Sequence, residues 1–186
     1  MNLNELRDRA YQNAVAHGWH EKELSNEHWL CLVISELMEA VEADRRGARA
    51  NVIAYKDMER QVDNVKMPEK EFYNYLYEKT IKGSVEEELA DVCIRLLDLA
   101  GLRDIDVKNE NVYVPKEITF TEFCYKLTAV LSNPPKYASN YLKELIGIVL
   151  GWILSWCWNN RIDIHWHIEQ KMKYNETRPY KHDKEY

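Results

Sequence analysis

The sequence predicts an all-α protein, a helical bundle with no sheet, and three observations carry that prediction. Gly and Pro are scarce, 6 and 5 of 186 residues. No run sustains the two-residue alternation of a half-buried strand. Apolar residues instead recur at helical spacing, as in Trp29, Leu32, Val33, Leu37, Ala40 and Ala43, and again in Leu89, Val92, Leu96 and Leu99. With 46% apolar and 30% charged residues, the chain is most simply one domain spanning 1–186, large enough to bury a core under a solvated surface.

The elements follow in order. A first helix covers about 3–16 and stops at Gly18. Ser25 can cap a second that runs to about Arg46, with Gly47 as its C-terminal stop. Residues 48–67 are polar and weakly patterned and read as a loop or excursion. Pro68 suits the first turn of a short helix, Glu69 to Lys82, closed by Gly83, so that about 48–83 reads as an inserted segment. Ser84-Val-Glu-Glu87 fits a capping box and opens the next helix, which ends at Gly101. Residues 102–118 read as irregular, with a brief extended piece at Val112-Tyr-Val-Pro115. Thr119-Phe-Thr-Glu122 is another capping box, opening a helix to about Ser132 that Asn133-Pro-Pro135 breaks. A long apolar helix to about Asn159 follows, and Asp163 can cap a last one through Tyr174. Pro179 prevents a simple continuation of that helix into the polar tail.

Charge and composition narrow the function classes. Net charge is −6 without a dense basic tract, which argues against a nucleic-acid partner, because phosphate-backbone binding needs clustered Lys and Arg. The charged start lacks the apolar run of a signal peptide, so a cytoplasmic location is expected. Leu145 to Trp158 is shorter than the roughly 20 apolar residues that span a bilayer and reads as a core or interface helix, with no membrane partner expected. Cys31, Cys93, Cys124 and Cys157 are isolated within apolar runs and read as reduced core residues.

The chemistry resides in two acidic doublets, Glu36-Leu-Met-Glu39 and Glu88-Leu-Ala-Asp91. Residues three apart share a helix face, so each doublet can offer two carboxylates to one point. Glu36 falls inside the apolar arc of its helix and Glu39 at its edge, while Glu88 and Asp91 border the stripe of theirs. A buried carboxylate requires a cation, a base or a proton. Four inward oxygen donors on two helices suit a hard divalent ion, Mg²⁺ or Mn²⁺.

Together with the tail Lys171-Met-Lys-Tyr-Asn-Glu-Thr-Arg178-Pro-Tyr-Lys-His182, these doublets resemble the MazG-like all-α nucleoside triphosphate pyrophosphohydrolases. The likeness covers about 25–46, 84–101 and 168–186. It implies a four-helix catalytic bundle, Mg²⁺ held by Glu36, Glu39, Glu88 and Asp91, and hydrolysis of a nucleoside triphosphate between its α and β phosphates. Members are commonly homodimers or homotetramers. Two features depart from the family pattern: residues 40–87 make an unusually long connection between the doublets, and His182-Asp-Lys stands where the family tends to have His-Gly-Lys.

A triphosphate approaching four carboxylates meets Coulomb repulsion, which bound Mg²⁺ would offset while lowering the pKa of an attacking water. Glu36 or Glu39 is the expected base. Lys171, Asn175 and Arg178, four and three residues apart, would share a helical face and grip phosphate oxygens.

Blander readings stand beside these. The doublets could be solvated acids, with Arg95 pairing with Asp91 four residues earlier. His165 and His167 point to nearly opposite sides of a helix and read as structural. His182-Asp183 matches only a fragment of an HD phosphohydrolase pattern, and neither doublet carries the Glu-x-x-His of a di-iron bundle. The tryptophans can stack on a base but more simply pack a core or interface. A non-catalytic helical module that binds nucleotide or a protein partner is the rival from another class.

Overall fold

A computed structural model describes residues 2–62, 66–108, 112–134 and 140–183, with side chains given up to Lys181. Among these residues there are eight α-helices, 70% of the chain is helical, and there are no strands. The helices are α1 (Leu3–Ala16), α2 (Asn26–Arg45), α3 (Val52–Glu59), α4 (Glu69–Thr80), α5 (Val85–Leu102), α6 (Phe120–Ser132), α7 (Tyr141–Asn159) and α8 (Ile164–Asn175), followed by a 3-10 turn at Tyr180–Asp183.

The caps explain most boundaries. Ser25 accepts a hydrogen bond from the His28 amide, Ser84 from Glu87, Thr119 from Glu122 and Asp163 from Trp166, each satisfying a donor that the helix start leaves open. At Thr119 the box is complete, since Glu122 also accepts from the Thr119 amide. At Ser84 it is only half formed, because the Glu87 carboxylate turns to the Gly83 amide and into the protein.

α5 is the axis of the bundle. It packs against α1, α2, α7 and α8, and its apolar residues from Val85 to Ala100 are buried on nearly all sides. A helix apolar all round has no solvent face to present. Gly101, expected to end α5, lies inside its last turn, where an added Cβ would come within 2.5 Å of Tyr11 Cβ on α1. The glycine permits close approach of two helices rather than terminating one.

The stretch expected as a loop at 48–67 contains helix α3, whose start Asn51 caps by accepting from Ala54 N. Its single fully buried side chain, Tyr55, leaves too little apolar periodicity to read from sequence. α3 and α4 pack on each other around Tyr55, Phe72, Leu76, Tyr77 and Ile81, a small core that also meets Trp166 and Tyr174 of α8. This segment leaves and returns at one place: Val85 N donates to Ala48 O at 3.2 Å, Asn51 N to Thr80 O at 2.7 Å, and Ala50 N to the Glu86 carboxylate at 3.0 Å.

α7 starts earlier than the apolar run suggested and reaches 19 residues, making it long and apolar enough to cross a membrane by length and composition. Within the fold 56% of that stretch is buried. Trp156 packs on Phe120 and Phe123, whereas Trp158, at the end of the run expected in a core or at an interface, is 84% exposed. Cys93, Cys124 and Cys157 are buried as expected, with thiol pKa values pushed up by burial, but Cys31 is exposed on the outer face of α2. No extended pairing occurs at 112–115 among the described residues, and the side chains of His182 and Asp183 lie outside them.

Candidate metal and phosphate site

α2 and α5 lie side by side, and α8 crosses α5, so three elements from distant parts of the chain converge on one cavity of about 490 Å³. Glu36 and Glu39 reach it from α2, Glu88 and Asp91 from α5, and Lys171 and Asn175 from α8. Arg178, expected to continue that helical face, follows the end of α8 at Asn175 and still lines the cavity.

Glu36, Glu88 and Asp91 each present an oxygen within 4.8 Å of the others, a buried acidic triad that could hold a cation. All the donors are hard carboxylate oxygens, the kind that small divalent ions prefer. Glu39 is exposed at the cavity wall. The charge of Glu39 adds to what raises the pKa of Glu88, which burial, Glu87 and Asp91 together push up to about 8. Asp91 is also raised by burial, against the pull of Lys171.

Protein cations already compensate two of these acids. Lys171 Nζ lies 2.6 Å from Glu87 Oε1 and 2.6 Å from Asp91 Oδ2, buried with both. The two carboxylates hold its pKa up despite burial. Arg95 pairs across to Glu36 at 2.6 Å, not along its own helix to Asp91. The reason is geometric: Glu36 is inside the α2 and α5 interface and needs a counter-charge, while Lys171 already serves Asp91.

Sequence reading missed Glu87 and Arg95 as parts of the site. Glu87 accepts from Tyr77 OH at 2.9 Å and Lys171 at 2.6 Å, and from the Gly83 amide, tying α4, α5 and α8 together. Of three consecutive glutamates the apolar stripe singled out Glu88, whereas Glu86 and Glu87 are buried as well. Arg95 was legible in principle, since it lies seven residues after Glu88 and four after Asp91, on one face of α5.

Aromatic and polar side chains line the cavity as well. Trp19, Trp29, Asn13 and Asp98 line it, and His20 Nε2 lies 2.7 Å from Asp98 Oδ1 in a buried pair. The Asp98 pKa is raised by burial, with His20 acting against it. Trp29 Nε1 and Asn175 Oδ1 are buried without a hydrogen-bond partner among the described residues, although both side chains line the cavity. Such unsatisfied groups are uncommon in a folded protein and suit a site that awaits a polar ligand. His167 is buried on α8 away from this cavity, with its pKa lowered by burial. Compared with protein-family models, curated proteins and solved structures, the chain matches none.

Proposed function

We propose that the protein is a Mg²⁺-dependent nucleoside triphosphate pyrophosphohydrolase of the MazG-like kind. The observation that carries the reading is the triad Glu36, Glu88 and Asp91, oxygens within 4.8 Å of one another, on the wall of a cavity of about 490 Å³. That volume falls in the range of small-molecule sites. Glu36, Glu39, Glu88 and Asp91 would hold the ion, which Mn²⁺ could replace; bound there, it supplies charge compensation and acidifies coordinated water. Glu39 faces the cavity and has no ion pair among the described residues, while Glu36 is held by Arg95, so Glu39 is the better-placed base. It takes the proton as water oxygen bonds to the α phosphorus and the bond to the bridging oxygen breaks. Pyrophosphate leaves, and a nucleoside monophosphate remains. Asn175 and Arg178, with their side chains on the cavity, would steady the phosphates.

Pyrophosphate release across a nucleotide panel, with Mg²⁺, Mn²⁺ or EDTA, tests the activity. Glu39→Gln should lower turnover by at least about a hundredfold at limiting Mg²⁺ while leaving the melting temperature close to wild type, as general-base loss commonly does. Wild-type turnover in that variant would remove Glu39 from the mechanism. One observation favours a second reading, a non-catalytic nucleotide-binding or protein-interaction module. Lys171 and Arg95 already neutralise part of the acidic set without any metal. Nucleotide binding without turnover across the panel would select it.

A further inference from the structure

Of the two cations that touch the acidic set, only one is within reach of a ligand. The Lys171 side chain is 8% exposed and fixed between two carboxylates. Arg95 is 33% exposed, lines the cavity, and stands one turn beyond Asp91 on the same face of α5. Its contact with Glu36 is also an incomplete one for a guanidinium. Nε and Nη2 both lie 2.6 Å from a single oxygen, Glu36 Oε1, whereas the planar fork is shaped to meet two oxygens at once. A phosphate group presents two oxygens to that fork, as Glu36 does not in this arrangement.

We propose that Arg95 is the principal phosphate-gripping residue of this cavity and that Glu36 holds it in reserve. When Glu36 turns to ligate a divalent ion, Arg95 loses its counter-charge and swings onto the oxygens of a polyphosphate. Metal and polyphosphate then bind cooperatively, because each removes a partner that the other must displace. The inference rests on the pyrophosphohydrolase reading for the identity of the ligand, but its physical content is narrower: a guanidinium exchanging a carboxylate for a phosphate. Trp29 Nε1 and Asn175 Oδ1, buried on the same cavity without hydrogen-bond partners among the described residues, independently mark the space as one built for a polar ligand.

The exchange is testable without turnover, by calorimetric titration of inorganic pyrophosphate into the protein in EDTA. Glu36→Gln removes the charge that retains Arg95 and keeps the side-chain shape, so it should bind pyrophosphate about tenfold more tightly than wild type. Glu36→Gln combined with Arg95→Lys keeps both charge states but loses the fork, and should forfeit most of that gain. Melting curves confirm that each variant is folded. No gain in Glu36→Gln would overturn the proposal. So would a full gain in the double variant, since the effect would then be one of general charge and not of Arg95. Hydrolysis of triphosphates by the wild type together with either of those outcomes leaves the activity standing and removes only Arg95. The expected binding pattern without any hydrolysis removes the activity and keeps Arg95 as an anion-binding residue.

Discussion

Glu86, Glu87 and Glu88 are consecutive, all buried, and each meets a different fate. Glu86 accepts from the Ala50 amide, Glu87 takes Tyr77, Gly83 and Lys171, and Glu88 faces the cavity with a pKa raised to about 8. Helical periodicity placed Glu36 inside and Glu88 at the edge of an apolar stripe, and both line the cavity. It offered no partner for Glu86 or Glu87, whose contacts include Ala50 and Lys171, 36 and 84 residues away. The raised pKa of Glu88 has a sign that can be checked. The folded protein keeps a proton near pH 6 that the unfolded chain has released, so this contribution to stability is full below about pH 4.5 and is lost as pH rises through about 8. In EDTA the melting temperature should therefore fall across that window, and Glu88→Gln should flatten the fall. An unchanged slope in the variant would assign the pH dependence elsewhere. Lys171 gives the opposite kind of test. Lys171→Met strands Glu87 and Asp91 without a counter-charge, at a cost of about 3–5 kcal/mol, the range for breaking a buried pair. Denaturant midpoints measure the loss, and saturating Mg²⁺ should restore part of it by binding the folded state.

Among the elements, the helices with a side-chain cap at a clear apolar start, at Ser25, Ser84, Thr119 and Asp163, were legible to within a residue or two. What failed was punctuation with a tertiary cause. Gly101 looks like a stop in sequence, yet its role is set by Tyr11 on a helix some ninety residues earlier. Gly101→Ala should cost about 1–3 kcal/mol, as overpacking does, even though alanine is the better helix former; a stabilised variant would show that the α1 and α5 contact yields easily. The helix α3 failed to announce itself for a related reason, since Tyr55 and little else on it is buried.

On the scale of the whole molecule, the all-α class followed from periodicity and from the scarcity of Gly and Pro, while the convergence of α2, α5 and α8 on one cavity did not. Contacts between Glu36 and Arg95, or between Lys171 and Asp91, join residues with no shared local pattern. The acidic doublets named the participants, and only three-dimensional packing showed that two cations stand among them. The stem that joins Ala48 to Val85 and Asn51 to Thr80 closes segment 49–84 at its base, and that segment has a small core of its own. A unit tied at one base and packed mainly on itself and α8 can open at the cost of few contacts to α5, the Tyr77–Glu87 and Ala50–Glu86 hydrogen bonds among them. Native-state amide exchange should therefore find α3 and α4 sharing one opening free energy, lower than that of the α5 amides.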